Sequence, residues 1–126
     1  MAVARIRWRD EPKASDYPAA ENYLLLIYPR KEAAALVRHL RGEPISRFKA
    51  IDVLRASREL LLDVTNSHVK EDHQKILNGQ KLSPPLLVRH PRNARMLIVD
   101  GYHRICAVCA LDEDEIIPCK IVSARK

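Results

Sequence analysis

The chain is poor in aromatic side chains and holds an odd number of cysteines. Its 126 residues include one Trp, four Tyr and one Phe. Proteins that stack nucleic-acid bases interleave aromatic with basic residues, so this shortage counts against a stacking platform. The three cysteines lie in apolar surroundings. They therefore favour reduced core residues of a cytoplasmic protein over a disulfide framework.

Long apolar runs are also missing. The longest candidate, residues 23–28, is far shorter than the roughly 20 apolar residues that cross a bilayer. Residues 1–9 contain no such run either, which counts against a secretory signal. The sequence shows no internal repeat, low-complexity segment or interdomain linker. We therefore expect one protein domain without a membrane partner.

What is present is ordinary for a globular protein. A length of 126 residues predicts a single domain, 1–126, that buries a real core. The formal net charge of +6 favours anionic partners only weakly, because a solvated surface tuned for solubility explains it as well. The basic residues form two mild clusters: Arg5, Arg7 and Arg9, and Arg89, Arg92 and Arg95.

Apolar spacing predicts an α/β fold, a small mixed sheet with helices packed on it. Asp16 is a candidate cap for the first helix, Pro29 breaks that helix, and Gly42 ends the second. Helices are predicted at 16–28, 29–41, 50–57, 68–78 and 102–111, strands at 86–89, 95–100 and 116–122, and a connection at 44–50. The domain then comprises a loose basic arm (1–15), a helical N-terminal segment (16–49) and a core (50–122).

The main chemical hypothesis rests on the segment DGYHR, residues 100–104, between an apolar strand and a helix. Every residue of 105–111 is apolar, so we expect this helix to be buried on all sides. Backbone N–H groups at a helix start attract anions, and Gly101 allows a ligand to approach the backbone closely. His103 and Arg104 add donors for phosphate oxygens. We interpret the turn as a binding site for the phosphate of a nucleotide or a phosphorylated metabolite.

Each residue of this turn also has a structural interpretation. Asp100 either caps the following helix or holds a metal ion or a substrate hydroxyl. Arg104 lies at the positive end of a helix and needs an anion, either a carboxylate such as Asp100 or a ligand phosphate. We prefer the phosphate, in which case Arg104→Ala loses anion binding and keeps the fold. Tyr102 packs or lines the pocket.

A second segment is a candidate for closing over the glycine turn. Asn66 or Ser67 is expected to cap a helix in which His68 and Asp72, four residues apart, face the same side. A solvated helix end is the plain interpretation. Contact with the ligand through Asn66, Ser67 and His68 is the functional one.

The pair Cys106-x-x-Cys109, with Cys119 and His103, invites a zinc hypothesis. Structural zinc sites usually draw on knuckle turns and a second pair of ligands. The chain offers neither, so the sequence predicts no resident metal cluster here.

The order of these features resembles the ParB/sulfiredoxin superfamily over about residues 50–122. The resemblance rests on three motifs, LSPPLLV at 82–88, IVDGYHR at 98–104 and IIPCKI at 116–121. It implies a glycine turn that holds nucleotide phosphates, with ATP, ADP or CTP and Mg²⁺ as cofactors.

The departures from the family narrow the activity. Tyr102 stands where sulfiredoxins carry their reactive cysteine, so sulfiredoxin activity is not expected. Partition proteins have a Gly-Glu-Arg-Arg-like turn and a following helix-turn-helix domain, so a complete partition protein is not expected either.

The most similar turn is the Asp-Gly-His-x-Arg of free-serine kinases, which use an acidic residue early in the domain. Glu59 is the matching candidate base. The leading hypothesis is thus a small phosphotransferase or nucleotide hydrolase with Glu59, Asp100 and His103 as catalytic candidates. Gly101, Tyr102, His103 and Arg104 would bind the phosphate.

Other functions stay open. The second hypothesis is a DNA-binding or regulatory module that uses the basic arm. A nuclease of this superfamily and a degenerate scaffold without ligand are weaker alternatives, and a homodimer is left open.

Overall fold

The computed structural model describes residues 5–92 and 95–124. Within these ranges, five helices form where apolar residues recur every three to four positions. They are α1 (Asp16–Leu24), α2 (Arg30–Gly42), α3 (Ala50–Ser57), α4 (Ser67–Leu77) and α5 (Tyr102–Leu111). Four of the predicted helices are confirmed to within one residue at each end. The first ends four residues earlier than predicted, because residues 25–28 turn before Pro29.

The start and the end of α4 illustrate how local chemistry sets helix bounds. The Asn66 side chain accepts hydrogen bonds from the backbone N–H groups of His68 (3.0 Å) and Val69 (3.1 Å), so the predicted cap is confirmed. Gly79 follows the helix with a φ of +75°, a conformation that glycine adopts without strain.

The described residues also form six strands: β1 (Arg7–Trp8), β2 (Ser46–Lys49), β3 (Lys81–Leu82), β4 (Leu86–Arg89), β5 (Met96–Asp100) and β6 (Ile116–Ser123). Four of them form a mixed sheet in the order β2-β6-β4-β5, in which only β6 and β4 are parallel. The other two, β1 and β3, form a parallel pair. The predicted α/β class with a small mixed sheet is confirmed.

Two expectations about segments are corrected. Residues 44–50 were expected to be a connection, but 46–49 form β2, an edge strand held by antiparallel pairing with β6. The arm 1–15 was expected to be loose. Residues 1–4 lie outside the described part, and the rest contains β1, whose pairing with β3 holds it on the domain. Ile6 beside it is buried.

The sheet lies between two helical layers. Alternate residues of β4 show this directly, because Leu86 and Val88 pack with α1 and α2, whereas Leu87 packs with α3, α4 and α5. All three are fully buried, as expected for a strand covered on both faces.

The burial of α5 differs from the prediction. Residues 105–108 are fully buried, but Ala110 is exposed and Cys109 and Leu111 are only partly covered. Because α5 lies in an outer layer with α3 and α4, the last turn keeps one face in solvent. None of the described helices is long and apolar enough to cross a membrane.

Candidate functional site

The turn between β5 and α5 opens into a cleft of about 320 Å³. Its polar wall comes from three segments that are distant in the sequence, so only the fold brings them together. The lining residues include Tyr23, Glu59, Asp100, Gly101, Tyr102 and His103. The structure thus places the three predicted catalytic candidates beside one cavity.

Gly101 makes the turn possible. Its φ is +101°, a left-handed conformation that side chains rarely adopt. A Cβ at this position would lie 2.8 Å from Nη2 of Arg104 and 3.0 Å from Cβ of Pro85. The guanidinium therefore lies directly over the glycine.

Arg104 is held by the protein's own carboxylates. Its Nη2 donates to Oδ2 of Asp100 at 2.7 Å and lies 3.9 Å from Oδ2 of Asp16. The Arg104 side chain is 17% exposed, and those of Asp100 and Asp16 are 15% and 11% exposed. The carboxylate partner that the sequence left open as an alternative is therefore present.

Asp16 also belongs to this site, although its position in the sequence does not predict it. It was expected to cap α1, but it occupies the first turn and its carboxylate accepts hydrogen bonds from the Ser83 hydroxyl and from the Lys13 backbone N–H. No local pattern predicts this, because the Ser83 contact joins residues 67 positions apart.

Asp100 does not cap α5. Within the described part of the chain, no side chain caps this helix, and the Asp100 carboxylate pairs with Arg104 instead. Burial raises the pKa of Asp100 above its usual value of 3.8. Arg104 opposes this rise, and the nearby charges of Asp16 and Asp72 add to it.

His103 contacts a second histidine across the helix starts. Its ring centroid lies 4.9 Å from that of His68 and 5.2 Å from that of Tyr102. Burial lowers the pKa of His103 below 6.5, the charge of His68 lowers it further, and Asp72 opposes both. The imidazole is therefore mainly neutral at pH 7.

The segment expected to close over the turn does so only through His68. The Asn66 side chain is engaged in capping α4, and Ser67 is the first residue of that helix and is exposed. The closing contact is therefore one between α4 and α5, not one made by a loop.

Glu59 lies in the cleft, but it is already paired. Its Oε1 accepts from Nη2 of Arg95 at 3.0 Å, and Nε of Arg95 donates to the Ser57 carbonyl at 2.9 Å. Beside it, the Tyr102 hydroxyl donates to the Leu60 carbonyl at 2.5 Å. These contacts fix Glu59 and Tyr102 in the lining of the cleft.

No cysteine is among the described residues that line this cleft, although Cys106 contacts one of them, Tyr102, from the protein interior. Cys106 and Cys119 are fully buried, and Cys109 is half-buried. Burial raises the pKa of Cys109 and of Cys119 to about 11, so both are thiols at neutral pH. Across residues 5–92 and 95–124, no group of three or more His, Cys, Asp or Glu side chains is arranged to hold a metal ion.

Comparison of the chain with protein-family models, with curated proteins and with solved structures gave no match.

Proposed function

We propose that the cleft at the start of α5 binds the phosphate of a nucleotide or a phosphorylated metabolite. On this proposal the chain is a ParB/sulfiredoxin-like domain that acts as a small phosphotransferase or nucleotide hydrolase. One observation carries it: the cavity adjoins the start of α5, whose N–H groups have no side-chain cap in the described part, and it is lined by Asp100 and His103, whose pKa values both shift in the direction that favours the uncharged form. Such a combination is typical of sites that bind anions and move protons.

The proposal assigns each group a role. The backbone N–H groups of residues 102–104 donate to phosphate oxygens, and Arg104 holds Asp100 and the turn in place. His103 is the general base, since its neutral ring can accept a proton near pH 7. The oxygen of an acceptor hydroxyl or of water attacks phosphorus, its proton passes to His103, and the bond to the leaving phosphate oxygen breaks. Glu59, held by Arg95, would orient the acceptor.

The carboxylates in and around the cleft make Mg²⁺ a suitable companion of the nucleotide. Asp100 and Glu59 would repel a bare phosphate, and Asp72 and Asp16 lie close enough to affect the pKa of Asp100. Mg²⁺ keeps several waters and needs only one or two protein carboxylates, and Asp100 is the residue that would hold it. When bound, the ion neutralises phosphate charge.

Nuclear magnetic resonance titration tests this proposal. ¹⁵N-labelled protein is titrated with ATP, CTP and inorganic phosphate, each with and without Mg²⁺. We expect the backbone amides of residues 101–104 to shift, and we expect tighter binding when Mg²⁺ accompanies the nucleotide. Turnover is then followed with a panel of hydroxyl metabolites, using His103→Gln and, as a control on the far side of the sheet, His39→Gln. If no nucleotide shifts these amides and none is consumed, the proposal fails and a scaffold without ligand is favoured.

A second candidate function, binding of a nucleic-acid backbone, is favoured by a different surface. In the register of β1 and β3, Arg7 lies beside Lys81, and both side chains are exposed. Neighbouring like charges on a sheet are destabilising unless an anion compensates them. Together with Arg5 and Trp8 they line a shallow cavity of about 380 Å³.

Gel shifts with duplex DNA at low and high salt separate the two candidates. Binding through Arg7 and Lys81 should weaken steeply with salt and fall in Arg7→Gln/Lys81→Gln. The absence of any shift at low salt would remove the second candidate, and binding that survives the double substitution would show that Arg7 and Lys81 are not the contact surface.

A further inference from the structure

A groove on the α3 side of the sheet is separate from the cleft described above. It consists of two adjoining cavities, of about 240 Å³ and about 340 Å³, that share Ala56, Arg89 and Met96. The first is walled by apolar side chains from four different elements, among them Phe48, Val53, Met96 and Ile121. None of these residues takes part in the proposed phosphate chemistry.

The groove has one acidic and one basic side chain, Asp52 and Arg89, and they differ in whether an opposite charge lies beside them. Asp52 at one end is compensated by Arg55, whose Nη1 lies 3.7 Å from Oδ1 of Asp52. Arg89 lines both cavities and has only one weak hydrogen bond in the described part of the chain, from Nη1 to the Ser123 hydroxyl at 3.5 Å. No carboxylate among the described residues pairs with it.

We propose that this groove binds a small amphipathic monocarboxylate, with its carboxylate on Arg89 and its apolar part in the cavity beside Val53, Met96 and Ile121. The guanidinium presents a planar pair of donors that matches a carboxylate. Methionine side chains are flexible and adapt to irregular apolar shapes, so Met96 can adjust to the apolar part of the ligand. Because the apolar cavity is smaller than those that hold drug-sized ligands, the ligand has a short chain or a single ring.

The apolar wall is partly open before any ligand binds. Phe48 is 43% exposed on the edge strand β2, whereas Val53 and Ile121 behind it are 4% and 8% exposed. An apolar ligand part placed against Phe48 therefore removes aromatic surface from water without moving the core.

Titration with octanoate and with octan-1-ol tests the inference. Both probes offer the same chain, and only octanoate carries the charge that Arg89 would bind. We expect octanoate to shift the amides of Val53, Ala56, Met96 and Ile121, and octan-1-ol to bind about tenfold more weakly, as befits one charge-assisted contact. Arg89→Gln should remove this difference, whereas Arg38→Gln, an exposed arginine on α2, should not.

A second variant tests the place of binding. Ala56 lines both cavities and is exposed, so Ala56→Phe should fill the groove and abolish binding of both probes. Ala110→Phe, at an exposed alanine of α5, is the matched control and should bind normally.

Two results would overturn the inference. Equal affinity for octanoate and octan-1-ol would show that Arg89 does not bind the carboxylate. Shifts of the same amides with protein concentration alone would show that a second copy of the chain covers the groove. Neither result bears on nucleotide binding at Gly101, which is measured through other amides.

Discussion

The Arg104 guanidinium packs against the position that the first side-chain carbon of residue 101 would occupy. Nη2 of Arg104 is 2.8 Å from that position and 2.7 Å from Oδ2 of Asp100. Gly101 therefore serves two purposes at once, since it permits a φ of +101° and leaves room for the ion pair. The turn, the ion pair and the wall of the cleft depend on one another.

Gly101→Ala should lower the free energy of unfolding by roughly 1–3 kcal/mol, because alanine is strained in a left-handed conformation and its methyl group displaces Arg104. Urea denaturation measures this. Gly42→Ala is the matched control, because nothing lies within 4 Å of a Cβ there. It should be neutral or stabilise by up to about 1 kcal/mol. Equal losses in the two variants would contradict the role given to Gly101.

Arg104→Met should destabilise the fold by about 2–4 kcal/mol, since it leaves Asp100 and Asp16 without their cation. The ion pairs thus revise the sequence-based expectation that removing Arg104 would cost only ligand binding. Adding Asp100→Asn should restore part of the loss, and a double-mutant cycle measures the coupling. Additive effects would show that the pair at 2.7 Å contributes nothing.

The turn itself was predictable, but its surroundings were not. Apolar residues on both sides of Gly101 fix β5 and α5, so Asp100 and His103 follow from local sequence. The ion pair of Arg104 with Asp16 and the position of Tyr23 in the cleft lining both depend on where α1 packs. Local patterns carry no information about that packing.

The missed strand β2 has a similar cause. Its residues, Ser46 to Lys49, are exposed or half-buried and show no alternation of apolar and polar side chains. The strand exists because Ser46 aligns with Cys119 and Lys49 with Ile116 on β6. Such an edge strand is defined by its partner, and periodicity cannot reveal it.

Lys120 is a second feature that sequence patterns miss, and it yields a prediction about stability. The residue is 1% exposed, and Nζ donates to the Arg41 carbonyl and pairs with Glu11, both at 3.0 Å. Lys120→Met keeps the stem but leaves the Arg41 carbonyl without its donor, so it should cost about 1–3 kcal/mol in a denaturation experiment. Glu11→Gln should cost less, because the Glu11 side chain is 65% exposed. A larger loss in Glu11→Gln would contradict this account.

The lowered pKa of His103 predicts how stability changes with pH. The unfolded chain takes up a proton on this residue near pH 6.5, whereas the folded protein does so only at lower pH. Between those two values the unfolded state binds more protons at this residue, so the contribution of His103 lowers the free energy of unfolding as the pH is reduced from about 6.5. Above that window the contribution is fully present.

Denaturation curves collected between pH 7.5 and 4.5 measure this slope, and His103→Gln should flatten it. The exposed His39 provides the control, because His39→Gln should leave the slope unchanged. His68→Gln should reduce the slope only in part, since burial is a larger cause of the shift than the charge of His68. A slope in His103→Gln as steep as that of the unmodified protein would place the titration elsewhere and would contradict the lowered pKa of His103.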